Sequence, residues 1–352
     1  LSAGRRRRSL HLLTTLPTGF VPDEDQGYFI VNVMLPEGAS LERNDAVVKR
    51  IEERMAADPA VADVLALGGY NLLTSAYSSY SSALLVILKP WEERKTPALS
   101  LDAAMDRARA SFAEVQEAIV MAFNPSPIPG LGTTGGFQFE LQDRTGGKVD
   151  DLARTAYDFM AEARREPAVT GLFTDFSVDV PQLFYNLDRD KVQTMAIPPS
   201  TVFEALQTYL GGLYVNDFNK FGRTYRVMLQ AEPRFRGSPA DIERFYVRSG
   251  TGEMVPLSTL GQTKDIRGPE YIRRFNLFRT VEISGGTPPG YSSGQSIATM
   301  ANLAKTRLPQ GYGYAWTGIA FQEASSGGQS VFIFGLALLM VFLVLAAQYE
   351  SL

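Results

Sequence analysis

Three consecutive carboxylates, Asp23, Glu24 and Asp25, stand between Pro22 and Gln26. Hard cations take carboxylate oxygens, so a cation site is one chemistry that such a run could serve. An EF-hand loop spaces its ligands at alternate positions over about twelve residues. This run does not, and a solvated turn leading into a strand fits its spacing better. Catalytic chemistry lacks its parts elsewhere. The chain has one histidine, His11, and no cysteine. Zinc would therefore need several carboxylates, and no nucleophile stands beside a histidine base. Gly130-Leu131-Gly132-Thr133-Thr134-Gly135-Gly136 is glycine-rich, but no lysine and no helix start follow it, so it is not a phosphate loop. A two-carboxylate acid–base enzyme would need a pair that nothing singles out. The sequence points away from an enzyme, and it calls for no cofactor and no metal.

Two connecting segments attract attention for another reason. Gly68 to Ser82 is rich in glycine and serine, yet carries Tyr70, Leu72, Leu73, Tyr77 and Tyr80. It is far longer than a hairpin turn needs. It reads equally as an adaptable binding loop with aromatic tips or as a disordered surface connection. Phe123 to Gly136 begins with three prolines and ends in glycines, stiff then loose, which suits a hinge.

The elements that must position these segments alternate in period. Tyr28 to Leu35 reads as a strand, and Leu41, Val47, Val48, Ile51 and Met55 recur at helical spacing behind Ser40. Ser40 has Arg43 rather than Glu three residues on, so the capping box is imperfect. Val61 to Leu67 and Ser82 to Leu88 follow as strands, Ser100 to Ala118 as a helix, and Ile119 to Phe123 as a strand. The order then restarts: strand Phe137 to Leu141, helix Val149 to Arg165, strand Val169 to Phe173, then Gln182 to Leu187. Strand Thr280 to Ser284, helix Ser292 to Leu308 and strand Tyr312 to Trp316 complete the second set. This is an α+β pattern: two ferredoxin-like split βαβ units. The second is interrupted by an insertion at 188–266 with a short helix (Ser200 to Leu210) and β-like pieces at Arg223 to Gln230, Phe245 to Val247 and Met254 to Pro256.

The chain has 352 residues, long enough for two or three domains, and a net charge of −4, which does not advertise nucleic-acid binding. Val331 to Ala347 contains seventeen residues and no charge. That length is at the short end of the roughly 17–25 residues that cross a bilayer, and apolar residues surround the whole helix. A membrane span at the C-terminal edge of a large water-soluble region is expected. Arg5 to Arg8 is expected to be a solvated tail. The apolar residues after it are too few for a signal-peptide core, and a missing or replaced preceding segment is expected.

Several stretches carry a family resemblance. Leu16 to Gly27 (LPTGFVPDEDQG) resembles the stretch leaving the seventh transmembrane helix in drug pumps of the resistance–nodulation–division superfamily. The likeness continues through Leu35-Pro36-Glu37-Gly38-Ala39, Ala122-Phe123-Asn124, Phe137 to Leu141, Tyr214 to Phe218 and Met254-Val255-Pro256. It ends at Trp316-Thr317-Gly318 and Ala347 to Ser351. The resemblance implies the second periplasmic loop of a proton-driven inner-membrane homotrimer. In that reading 1–15 is the basic tail, 16–132 a first porter subdomain, and 133–187 with 267–318 a second. The insertion 188–266 is a docking or funnel subdomain, and 325–352 starts the eighth transmembrane helix. The implied partners are amphiphilic drugs, a periplasmic adaptor, an outer-membrane channel and the lipid bilayer.

Carried over by position, the resemblance implies substrate contacts at Leu65, Tyr70, Leu72, Leu85, Met121, Phe123, Pro125, Gln138 and Glu282. It also implies a switch loop of Gly69, Tyr70, Asn71, Leu72 and Leu73. Apolar walls with rotatable Met or Leu side chains tolerate varied ligands. The proton relay of such pumps lies in membrane helices outside this sequence. Two other readings compete: a copper- or silver-exporting relative using methionines such as Met34 and Met121, and a membrane-tethered interaction module with no substrate.

Overall fold

The computed structural model describes residues 21, 24–128, 130–132, 135–326 and 329–348. The basic tail and Asp23 lie outside them. The described chain divides into two compact units, one of residues up to Val178 together with Pro269 onward, the other of Asp179–Gly268.

The first unit holds two antiparallel sheets with separate cores. Strand β1 (Tyr28–Met34) is apolar apart from Asn32, and its five central residues are buried. The helix Leu41–Ala56 follows, with the Ser40 hydroxyl accepting from the Arg43 N–H at 3.3 Å. Only the serine half of the capping box is present. Val47, Val48, Ile51 and Met55 form its buried face. Next come β2 (Val61–Asn71), β3 (Ala76–Leu88), the helix Leu101–Phe112 and β4 (Ile119–Phe123). That helix stops at Phe112, short of the Ala118 expected from spacing. The Val115 N–H turns back to the Phe112 carbonyl at 2.9 Å, which puts Val115 into the core. The sheet order is β2-β3-β1-β4, so β3 lies between β1 and β2. Phe29, Val31 and Val33 point to the helix side and join Ile51, Leu84 and Val86 in one core. Alternate residues on a strand face opposite ways, so Ile30 and Asn32 point to the other side.

The long connection read from Gly68 to Ser82 is mostly ladder. β2 and β3 pair through Gly68↔Ser82, Tyr70↔Tyr77 and Asn71↔Ala76, with a bulge between Gly68 and Tyr70. The Asn71 side-chain oxygen accepts from the Leu73 N–H at 3.0 Å, closing the turn as an Asx-turn does. Asn44 on the first helix donates to the Ser79 and Ser81 carbonyls at 3.0 Å each. Serine-rich composition suggested a loop, but the Ser79 and Ser81 hydroxyls donate to the Ala39 and Val33 carbonyls and staple the hairpin to its neighbours, while Ser82 accepts from the Gly69 N–H across the hairpin itself.

The second sheet repeats the pattern. β5 (Phe137–Asp143), the helix Val149–Ala163 and β6 (Thr170–Phe173) come before the Asp179–Gly268 unit. That unit contains β7 (Val180–Leu187), β8 (Leu213–Lys220), β9 (Arg223–Leu229), β10 (Tyr246–Arg248), β11 (Met254–Pro256) and β12 (Gly261–Gly268). After it stand β13 (Arg274–Phe275), β14 (Phe278–Gly286), the helix Ser293–Arg307 and β15 (Tyr312–Thr317). β14 and β15 flank β5, and β6 pairs with β14. The helix Ser293–Arg307 begins in a full capping box between Ser292 and Gln295. Phe137, Phe139 and Leu141 meet Phe159, Met160, Ile283 and Met300 in the second core.

Within the Asp179–Gly268 unit, β7 and β12 form one two-stranded ladder from Val180↔Gly268 to Leu187↔Gly261. The strand expected at Gln182 to Leu187 thus pairs inside this unit. A small core of Val192, Val202, Phe245, Leu257 and Leu260 packs its short helices and strands. β8 and β9 make a ribbon whose residues are all exposed. β8 went unread in the sequence.

A helix runs Gln329–Gln348 and encloses Val331 to Ala347, the stretch expected to span a membrane. Among the described residues no helix is long and apolar enough to cross a membrane. The side chains of 329–334 lie outside the described set, as do residues 327, 328 and 349–352, so that expectation rests partly on undescribed residues. The described side chains of Leu336 to Leu345 that are large and apolar are all exposed, with Leu338 71% so.

Candidate functional site

The first unit contains a cleft of about 1320 Å³. Its wall comes from both sheet systems: the end of β1 and the tip of the β2–β3 hairpin on one side, Gln138 of β5 and Glu282 of β14 on the other. Residues 174–177, 270–275 and the start of the helix after β15 complete it.

β5 explains the chemistry of one wall. It alternates Phe137, Phe139 and Leu141 toward the core with Gln138, Glu140 and Gln142 on the opposite face. All three polar residues are buried. Glu282 sits across the ladder from Glu140. The segment carrying Arg273 lies over this polar face. Its guanidinium ion-pairs with Glu282, and one of its nitrogens is 3.3 Å from a Glu140 oxygen. Burial alone would lower the Arg273 value; the two glutamates outweigh it and leave it raised. Burial raises the Glu140 carboxyl, with Arg273 opposing and Glu282 adding to the rise. Burial also raises Asp175, against a hydrogen bond from Tyr271. Tyr271 itself is pushed well up by burial and then by Asp175. Five carboxylates line the cleft, from Glu37, Glu117, Asp175, Glu270 and Glu282, and among its described residues Arg273 is the only basic one. Aromatic rings of Tyr77, Tyr80, Phe176 and Phe275 share the wall, and Tyr80 donates to Glu270.

Glu140 gives a test of this electrostatic arrangement. A carboxyl raised in the folded state favours folding at pH below its ordinary value, and that contribution is lost as pH rises through the folded value. Glu140→Gln stays neutral throughout. Its stability relative to wild type is therefore expected to climb from the ordinary value of 4.5 upward, by at most about 1.4 kcal/mol per pH unit. Thermal melts from pH 4 to 8 check this. A difference independent of pH, or one that shrinks as pH rises, would show that Arg273 compensates the buried charge fully.

The residues carried over from the resemblance fall into two groups. Asn71 and Leu73 of the hairpin turn line the cleft with Gln138 and Glu282. Gln138 is packed tightly: a Cβ added at Gly132 would come within 2.8 Å of its amide. Leu65, Leu85 and Phe123 instead form a row across the first sheet, joined through Ile30 (Leu65↔Leu85, Ile30↔Leu85, Ile30↔Phe123). Met121 stands in the next row beside Asn32 and Ala83. This face is opposite the helices and outside the cleft. Neither amide atom of the fully buried Asn32 is hydrogen-bonded among the described residues. Tyr70 meets Tyr77 edge-on at 5.6 Å, Gly69 lies in the bulged ladder, Leu72 begins the turn, and Pro125 is buried in the linker. The sequence reading missed Glu140, Asp175, Tyr271 and Arg273. The strict alternation in β5 was the available signal, since it demands a covered polar face.

Asp23 lies outside the described residues; Glu24 is exposed on irregular chain leading into β1, as a solvated turn would be, but Asp25 has a structural role. Asp25 accepts two bonds from Arg94, at 2.9 and 3.2 Å, and Arg94 is buried. No group of three or more His, Cys, Asp or Glu among the described residues is placed to hold a metal ion.

The profile of the AcrB/AcrD/AcrF family matches residues 7–352, and the chain belongs to that family of resistance–nodulation–division efflux transporters. It is 36% identical over 343 residues to the multidrug export protein AcrF of Escherichia coli strain K12, covering 97% of this chain and 33% of that protein. It is 36% identical to the multidrug/solvent efflux pump membrane transporter MepB of Pseudomonas putida, over 97% of this chain and 32% of that protein. Against the multidrug resistance protein MdtF of Escherichia coli strain K12 the identity is 33%, over 97% and 33%. These relatives are efflux transporters, not enzymes. The chain spans about a third of the length of the curated relatives it matches.

Proposed function

We propose that this chain is the periplasmic substrate-handling part of a proton-driven multidrug efflux transporter in a bacterial inner membrane. It binds amphiphilic compounds in the cleft and passes them toward an outer-membrane channel through a periplasmic adaptor. The working assembly is a homotrimer. The two sheet systems are ferredoxin-like porter subdomains, Asp179–Gly268 supplies the docking subdomain, and the Gln329–Gln348 helix enters the bilayer in the longer protein. The observation that carries the reading is the cleft of about 1320 Å³ walled by both sheet systems. Large, partly apolar pockets with a few convergent polar groups are the usual form of a small-molecule site. The all-round exposed apolar side chains of the last helix support its place in lipid.

The sheet-face row of Leu65, Leu85 and Phe123, with Met121 beside it, is a second apolar wall in this reading. The hairpin tip, Gly69 to Leu73, is the moving switch between the walls. The test is efflux by the complete transporter in a pump-deficient host. Leu73→Trp narrows the cleft from a half-buried turn and is expected to restore susceptibility, most for the bulkiest compounds. Unchanged resistance to every compound would remove the cleft from the path.

The wall's charge also sets a preference. With five carboxylates facing one arginine, an alkylammonium dye is expected to bind the isolated chain at least about tenfold tighter than its sulfonated twin, a bias electrostatic complementarity readily supplies. Fluorescence anisotropy in low and high salt measures it. Equal affinities at low salt would mean that the carboxylates are neutralised within the wall.

A further inference from the structure

At the other end of β5 from Gln138, a smaller pocket of about 430 Å³ opens beside the β13–β14 turn. Three arginines line it, Arg144, Arg274 and Arg279, and Asp143 is the only carboxylate among its lining residues. The chain as a whole is acidic, so this concentration of guanidinium groups runs against its balance.

The arginines are held in place. Gln142, buried behind them, accepts from Arg144 Nε at 3.3 Å and from Nη2 at 2.8 Å. The Arg144 guanidinium also lies 5.3 Å from the centre of the Phe278 ring. It packs over Gly313, where an added Cβ would stand 2.5 Å from its Cζ. Arg279 is pinned by Asp143 at 2.6 Å. Burial alone would raise the Asp143 carboxyl; the Thr145 hydroxyl and N–H, with Arg279, hold it below its ordinary value, so it stays ionised. Arg274 donates to the Leu277 carbonyl at 2.9 Å. Among the described residues neither Arg144 nor Arg274 has a carboxylate within ion-pair distance. Guanidinium groups fixed in advance lose little freedom on meeting an anion.

The rim adds an apolar surface. Asn276 and Leu277 form the turn with φ of +51° and +70°. Glycine or asparagine usually fills such positions. Leu277 is nonetheless a leucine and is 87% exposed, with Phe278 beside it. A strained, exposed apolar residue next to two arginines that have no carboxylate partner among the described residues suits a ligand that carries both an anion and a hydrocarbon chain.

We infer that this pocket is a binding site for an anionic amphiphile with a phosphate-type headgroup. Arg144 and Arg274 take the headgroup, Arg279 stands at its edge, and the alkyl chain lies along Leu277 and Phe278. The site is independent of the cleft and of its proposed substrates.

The test titrates the chain calorimetrically with decyl phosphate, inorganic phosphate and decyltrimethylammonium, each below its micelle-forming concentration. Decyl phosphate is expected to bind most tightly. Arg144→Gln and Arg274→Gln are each expected to weaken it about tenfold, the scale of one charge-assisted contact. Leu277→Gly relieves the turn and is expected to weaken decyl phosphate while leaving inorganic phosphate unchanged. Far-UV circular dichroism confirms that each variant is folded, and Leu277→Gly touches no core residue. Equal affinity for decyltrimethylammonium, or unaltered affinity in both glutamine variants, overturns the site. Inorganic phosphate binding as tightly as decyl phosphate overturns the amphiphile. Binding lost only in Leu73→Trp would move the ligand to the cleft.

Discussion

Phe139→Ala is expected to cost about 3–5 kcal/mol, the range for deleting a fully buried aromatic ring. Phe139 is 0% exposed at the centre of the second core. Its ring stacks on Phe159 and Tyr314, both at 5.1 Å, and meets Trp316 edge-on at 5.2 Å. Three aromatic neighbours cannot close the space left by a ring without abandoning one another, so the cavity term adds to the lost burial. The chain has two tryptophans; Trp91 is exposed and Trp316 touches Phe139. The change in tryptophan emission on urea unfolding therefore reports mainly on this core. A midpoint shift worth less than about 1 kcal/mol would mean that the surrounding rings relax into the void far better than such cores usually do.

Asp25→Asn is expected to cost about 3 kcal/mol at neutral pH, because it strands a buried cation. The Arg94 side chain is 2% exposed. Besides the two bonds to Asp25 it donates from Nε to the Lys89 carbonyl at 2.6 Å, so it cannot swing out to water without giving up a further partner. The pair also ties the approach to β1 to the segment after β3, 69 residues away. Burial alone would raise the Asp25 carboxyl; the Arg94 and Gly27 N–H groups outweigh it and hold it below its ordinary value of 3.8. A depressed carboxyl contributes stability above its unfolded value and loses that contribution as pH falls through the folded one. The gap between wild type and variant should thus be full at pH 7 and narrow below about pH 3.8. Melting curves at pH 7, 5 and 3 decide it; a gap that keeps its size at pH 3 would assign the loss to packing.

Residues with strong periodicity were legible. Val47, Val48, Ile51 and Met55 fixed one face of a helix, and the restart of the strand–helix order after Gly136 foretold the second sheet. Composition misled where side chains act through single hydrogen bonds. Serines in the β2–β3 hairpin looked like linker, yet Ser79 and Ser81 bond backbone that only the tertiary structure brings near. The helix after Ser100 was drawn too long because Val115 keeps the apolar spacing while leaving the helix. Arg94 could not be matched to Asp25, since a pairing so distant along the chain leaves no local mark. The cleft's charge was hidden for the same reason: Asp175, Arg273 and Glu282 meet only through the fold. Family resemblance supplied Gln138 and Glu282, and the geometry supplied their neighbours.

Val180 and Gly268 face each other at the outer end of the β7–β12 ladder, so the long excursion departs and returns through a doorway one strand pair wide. Swapping what lies beyond that doorway asks almost nothing of the β6–β14 pairing outside it, since the ends to be rejoined are already side by side. A lineage could replace the Asp179–Gly268 unit wholesale while inheriting the same two sheets, and an engineer could do so in one cloning step.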